Sequence, residues 1–254
     1  MTARRILITG AGSGIGAGLA RHLSHAGHVI AVTDVKPGAA DRLASELRGN
    51  GSQVAAFELD VTHPPGIERV LEKLPEPVEV LINSAGLQDV ARLEDQPPES
   101  WSLLVDVLLK GAAYTTRAVL PGMKKANYGR IVNIGSIHSI VASPFKSAYV
   151  AAKHGLVGFS KAIAIETATH DITINTICPA YVRTPLVDAQ IAAQAREHGI
   201  TAQQVIDDIM LAPMPKRRFI SIEEIAGSVD FLVSDAARNI TGQCLVIDGG
   251  WTAQ

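Results

Sequence analysis

The chain has 254 residues, 47% of them hydrophobic and 4% aromatic, and its 23 basic and 25 acidic side chains leave a formal net charge of −2. This length makes one globular domain, or at most two, and an even charge with few rings excludes a nucleic-acid binder, which needs a basic surface and stacking aromatics. Cys178 and Cys244 sit in apolar strand-like runs as buried free thiols, no window reaches the roughly 18 apolar residues of a membrane span, and the apolar run near the N-terminus is too short for a secretion signal, so a cytoplasmic protein with no membrane partner is expected.

In chain order, a strand at 5–9 is followed by a helix at 15–26, a strand at 28–34, a helix at 38–48, a strand at 53–60 and a helix at 67–74. A strand at 78–83, a helix at 99–125, a strand at 130–136, a helix at 147–168 and a strand at 172–178 continue the alternation. A helix at 222–234 leads into a last strand at 243–248. The strands are read from apolar, β-branched runs, the helices from apolar residues at helical spacing bounded by Gly, Pro, Ser or Asp. Strands apolar throughout and separated by helices form a parallel sheet covered on both faces. The expected fold is α/β, a doubly wound seven-stranded parallel sheet in a single domain, 1–254. The segment 184–219 breaks the pattern with two amphipathic patches, 185–194 and 201–211, ended by Ala212-Pro213-Met214-Pro215. It follows the carboxyl end of the sixth strand, over the ligand crevice of such sheets, and is read as a lid, with a plain surface insertion as the alternative.

The turn Thr9-Gly10-Ala11-Gly12-Ser13-Gly14-Ile15-Gly16 joins the first strand to the first helix. Its glycines let the backbone approach a pyrophosphate at a helix N-terminus, where free N–H groups and the dipole favour an anion. Gly10, Ser13, Gly14, Ile15 and Gly16 are therefore candidate cofactor contacts in a Rossmann-type βαβ unit. Asp34, ending the second strand, can accept hydrogen bonds from a ribose diol and repels a 2′-phosphate, and no Arg or Lys stands at Ser13 or Val35 to offset it, so NAD is the expected cofactor. Asp60 and Val61 lie beside the adenine in this reading, and Asn83, Ala85 and Gly86 of Asn83-Ser84-Ala85-Gly86 let the cofactor lie against backbone. Thr184, at the start of the lid, is a further contact.

With TGAGSGIG, NSAG, and Ser136 standing thirteen residues before Tyr149 in Tyr149-Val150-Ala151-Ala152-Lys153, the sequence resembles the short-chain dehydrogenase/reductase family over essentially its whole length. The chemistry can also be read from the residues. Tyr149 and Lys153 stand at i and i+4 of a helix and share a face, and an ammonium close to a phenol favours the phenolate. Ser136 would hydrogen-bond the substrate oxygen while Tyr149 exchanges its proton, and both Tyr149 and Lys153 would also touch the cofactor. The family's relay Asn corresponds to Leu108 here, so that fourth catalytic residue is not carried over.

Substrate choice falls to polar residues around this triad. Gln88, His138, Lys146 and Gln190 converge on one crevice and suit a small anionic substrate, with Lys146 as charge partner of a carboxylate. HSIVASPFKSAYVAAKHG, CPAYVRTPLVDAQI and IDGGW resemble the (R)-3-hydroxybutyrate dehydrogenase branch of the family, and the resemblance implies that these four residues bind the carboxylate of a hydroxy or oxo acid. It also implies that Trp251 lines the pocket and that Tyr181 occupies a place taken by Trp in some members. A related short-chain reductase or sugar/polyol dehydrogenase, or a nucleotide-sensing module without catalysis on the same fold, are the alternatives. The small residues Ala112, Ala113, Ala151, Ala152, Gly155 and Gly158 permit close helix packing, which core packing alone would explain; the resemblance implies a homotetramer. His22, His25 and His28 recur every three residues with no acidic partner and are read as a solvated face, so no metal is expected.

Overall fold

In the computed structural model, which describes residues 3–253, every apolar β-branched run becomes a strand. These are β1 (Arg5–Thr9), β2 (Val29–Asp34), β3 (Val54–Glu58), β4 (Val80–Asn83), β5 (Gly129–Ile134), β6 (Ile172–Pro179) and β7 (Cys244–Ile247). All neighbours pair in parallel, in the order β3-β2-β1-β4-β5-β6-β7. The order reverses between β1 and β4, and the connections leaving their carboxyl ends diverge to opposite faces of the sheet, which opens the crevice used by doubly wound folds.

The helices are α1 (Gly14–His25), α2 (Ala39–Gly49), α3 (Pro64–Glu72), α4 (Pro98–Val105), α5 (Ala112–Ala126), α6 (Ser147–Glu166), α7 (Pro185–His198), α8 (Ala202–Gln204) and α9 (Ile222–Val233). Alternation along the strands sends successive side chains to opposite faces. Ile6 and Ile8 of β1 therefore pack with Leu19, Leu23 and Val229 under α1 and α9, while Leu7 packs with Val119 and Met123 of α5 on the other face.

Two expectations need correction. The single helix over 99–125 is two, α4 and α5, joined by a π-helical turn, Asp106–Gly111. The wider turn brings Gly111 so close to Val61 that a Cβ on it would fall 2.6 Å from Val61 Cγ2. Second, the triplet His22, His25 and His28 is not simply a solvated face. His22 Nε2 meets Asp230 Oδ2 of α9 at 2.7 Å, and buried His28 accepts the Arg4 N–H at Nδ1. Two of the small residues named on α6 pack within the chain: Ala152 is buried with Leu104 and Leu108, and a Cβ on Gly155 would meet Leu109 Cδ2 at 2.9 Å.

The segment expected to form a lid begins at Thr184, whose hydroxyl accepts the Val187 N–H, and α7 runs on through His198 to a left-handed Gly199. Its second patch is the short α8 and a π-helical turn, Val205–Met210. Among the described residues no helix is long and apolar enough to cross a membrane, no group of side chains could hold a metal ion, and Cys178 and Cys244 are free thiols.

Candidate active site

Gly10 leaves β1 with φ +63, and a Cβ there would lie 2.5 Å from Ala85 Cα, so a side chain at this position is blocked both by conformation and by the turn after β4. Thr9 Oγ1 ties the two turns together by accepting the N–H groups of Ser84 and Ala85, each at 3.2 Å. Ser13 precedes α1 in extended conformation without a side-chain cap, and no acidic residue stands in the first turn formed by Gly14, Ile15 and Gly16. The helix therefore presents uncapped N–H groups at the mouth of the crevice, the arrangement that receives a phosphate. Asp34, buried at the end of β2, accepts the Gly12 N–H at Oδ2 and the Lys36 N–H at Oδ1, both at 2.9 Å, which fixes its carboxylate beside the glycine turn. Together these residues fit a nicotinamide dinucleotide.

Other candidate contacts are less directly placed. Asp60 uses Oδ1 to accept the N–H and hydroxyl of Thr62, fixing the turn after β3, and Val61 is buried with Leu59 and Ile67. Asn83 points its side chain into the protein, donating to Asn133 at 2.8 Å and accepting from Thr115 at 2.6 Å. Only its backbone turn, with Ala85 and Gly86, remains for the groove.

Beyond β5 the chain turns sharply. Ser136 is extended, its Oγ accepts the His138 N–H at 3.1 Å, and its own N–H donates to Ser139 Oγ at 3.2 Å. This reciprocal cap aims Ser136 at Tyr149 on the first turn of α6, where its hydroxyl opposes the upward push that burial gives the Tyr149 phenol. Lys153, four residues on, lies with Nζ 5.7 Å from the Tyr149 ring centroid and donates to the Ile134 carbonyl at 2.6 Å. Burial lowers Lys153 to about 8. The phenol is raised by burial rather than lowered by the Lys153 ammonium as expected, and the Ser136 hydrogen bond is what draws it back towards the phenolate.

The substrate end of the cleft is lined by Gln88, Ser136, His138, Lys146, Tyr149 and Gln190, with Tyr181 and Thr184 on the same wall. Lys146 is only 6% exposed, makes no ion pair among the described residues, and has its Nζ 5.7 Å from the Tyr181 ring centroid. Burial lowers its pKa. His138 is pushed down to about 4, first by burial and then by the Lys146 charge, so it is a neutral imidazole at neutral pH. Gln190 of α7 donates its amide to Gln88 Oε1, linking the lid to the turn after β4. Trp251 stands behind this wall, stacked on Tyr181 at 6.2 Å between centroids and edge-on to His138 at 6.0 Å. Sequence reasoning missed Ser139, Ser143, which reaches His138 Nε2 at 3.4 Å, and the Ile134 carbonyl. The spacing Ser136-Ile137-His138-Ser139 carried a signal for the first of these, since a hydroxyl at i+3 can complete a cap.

A dinucleotide groove beside a Ser–Tyr–Lys cluster at the carboxyl edge of a parallel sheet defines an oxidoreductase, and the chain belongs to the short-chain dehydrogenase/reductase family. A family model described as enoyl-(acyl carrier protein) reductase matches residues 10–252. The chain is 44% identical to D-beta-hydroxybutyrate dehydrogenase of Rhizobium meliloti (strain 1021), over 98% of each chain. It is 41% identical to the D-beta-hydroxybutyrate dehydrogenase of Cupriavidus necator, over all of both chains. Among solved structures, a variant of actinorhodin polyketide ketoreductase with NADPH superposes with a TM-score of 0.94 at 32% identity, covering 99% of this chain and 98% of that one. The protein is thus a dehydrogenase of this family, whose fold binds a nicotinamide cofactor.

Proposed function

We propose that the enzyme interconverts (R)-3-hydroxybutyrate and acetoacetate with NAD. The observation that carries this reading is Lys146: a buried ammonium without an ion-pair partner is costly unless a ligand supplies the counter-charge. Around it, neutral His138 and the paired amides of Gln88 and Gln190 add hydrogen bonds without adding charge. A short acid anchored there places its third carbon near Ser136 and Tyr149, whereas a sugar or polyol leaves Lys146 unpaired. The two relatives named D-beta-hydroxybutyrate dehydrogenases support both the acid and its hand.

In the oxidation, Tyr149 takes the proton of the substrate hydroxyl, Ser136 donates a hydrogen bond to the same oxygen as it becomes a carbonyl, and Lys153 holds its position through Ile134. Bound NAD supplies the hydride acceptor, and its reduced form the donor in the reverse direction. Asp34 supports NAD over NADP, because a carboxylate fixed beside the glycine turn favours a ribose diol and repels a 2′-phosphate. The reading includes a homotetramer, checked by light scattering in solution. A screen of NAD reduction across 3-hydroxy acids, their enantiomers and neutral secondary alcohols tests the whole; turnover of neutral alcohols at least equal to that of the acids overturns it.

A further inference from the structure

We propose that Phe145 is a positioning residue for substrate binding, which through a left-handed backbone turn and a contact with Arg92 holds Lys146 in register with the loop bearing Gln88. The proposal rests on the hydroxy-acid reading above and extends it to how the carboxylate pocket is assembled.

Phe145 has φ +65, a conformation that Cβ makes costly, and among the described residues only Asn127 and Arg217 share it outside glycine. Such a turn persists only where its surroundings impose it. Burial of the ring does not, since Phe145 is 51% exposed. Two contacts do. The Phe145 carbonyl accepts the Ala91 N–H at 3.0 Å, and the Arg92 guanidinium sits 5.7 Å from the ring centroid. Both partners belong to the loop that leaves β4 through Gln88, and the far side of that loop is anchored by Asp89, which accepts from Gln96 at 3.2 Å and from the Ser100 hydroxyl of α4.

On the other side of Phe145 the chain enters α6. Lys146 is the residue before its first turn, its carbonyl accepts the Val150 N–H at 2.8 Å, and its side chain is buried in the cleft. The left-handed turn at Phe145 is what carries the chain from an exposed position to this inward one in a single residue. A change of φ there redirects the Lys146 side chain and releases the Ala91 hydrogen bond together, so the cation and the amide pair of the pocket move apart as one event. Glycine adopts positive φ freely, whereas alanine keeps the Cβ penalty and has lost the ring that grips Arg92.

The test compares Phe145→Gly, Phe145→Ala and Lys146→Ala with the wild type, reading kcat and KM for (R)-3-hydroxybutyrate at saturating NAD and KM for NAD. Phe145→Ala is expected to raise the acid KM about five- to tenfold and Phe145→Gly less than about threefold, with kcat and the NAD KM within about twofold in both. A purely structural role lowers the melting temperature without separating the acid KM from these other constants. If Lys146→Ala raises the acid KM while the two Phe145 variants agree within twofold, the positioning role is overturned and the carboxylate pocket stands. If Lys146→Ala leaves the acid KM unmoved, the hydroxy-acid reading fails, and this proposal fails with it.

Discussion

Lys153 gives its ammonium to the Ile134 carbonyl at 2.6 Å, so the lysine is held by the end of β5 while the tyrosine four residues before it is held by Ser136. Burial raises the Tyr149 phenol, against the pull of the Ser136 hydrogen bond, and lowers Lys153 to about 8. Oxidation needs a proton acceptor, so its kcat is expected to rise towards alkaline pH as Tyr149 gives up its proton, and ketone reduction, which needs a donor, to fall over the same range. Tyr149→Phe removes the transferable proton and should cost at least ~10²-fold in kcat in both directions while leaving NADH binding, followed by fluorescence, close to normal. Retention of more than a tenth of the activity would remove Tyr149 from the reaction.

His138 makes the acid limb of stability predictable. Its pKa is lowered from 6.5 to about 4 by burial and by Lys146, so between these values the unfolded chain binds a proton that the native protein refuses. Stability then rises with pH across this window and is lost as pH falls from 6.5 towards 4, by up to about 3 kcal/mol for a shift of this size. Urea midpoints of the wild type and His138→Asn at pH 7 and pH 4.5 measure it: the asparagine variant should show the smaller acid loss. Equal losses would mean that His138 is protonated in the folded state.

The alternation of strand and helix was legible, the break between α4 and α5 apart, because parallel strands buried on both faces leave uninterrupted apolar runs and helices leave their own period. The Ser136, Tyr149 and Lys153 cluster was legible because Tyr149 and Lys153 are neighbours on one helix. What escaped depends on contacts between distant parts of the chain. Asp230 reaches His22 from 208 residues away. The π-helical turn at Asp106–Gly111 sets Gly111 against Val61, fifty residues earlier in the chain, a contact that periodicity does not encode. The direction of the Tyr149 shift escaped for a related reason: i,i+4 spacing shows that a lysine is near, but not that the pocket is dry enough for burial to dominate.

Asp34 does two things at once, and its substitutions separate them. Asp34→Ala removes both the charge and the acceptor for the Gly12 N–H, loosening the turn that receives the pyrophosphate, so it should weaken NAD mainly. Asp34→Asn keeps an acceptor for the Gly12 N–H and removes the charge, at the cost of the bond from the Lys36 N–H. It should therefore narrow the NAD-to-NADP ratio of kcat/KM by about tenfold or more, largely through improved use of NADP. Comparable kcat/KM for the two cofactors in the wild type would overturn the assignment of specificity to this carboxylate.

Lys146 is the decisive residue for substrate class. A hydrogen bond to a charged group is worth ~1.5–3 kcal/mol, so Lys146→Ala should lower kcat/KM for (R)-3-hydroxybutyrate by roughly ten- to a hundredfold. Removing its charge also removes one of the forces holding His138 down, after burial, so the pKa of His138 should move upward in the variant and the loss of activity should be less steep below neutrality. The methyl ester of the substrate offers the same hydroxyl to Ser136 and Tyr149 without the negative charge. It should be a poor substrate for the wild type and change little on mutation, because the ammonium stays unpaired with it in one case and is absent in the other. A lysine that merely supported the start of α6 would harm the acid and the ester alike, and equal losses on both substrates would leave the protein a short-chain dehydrogenase without a carboxylate pocket.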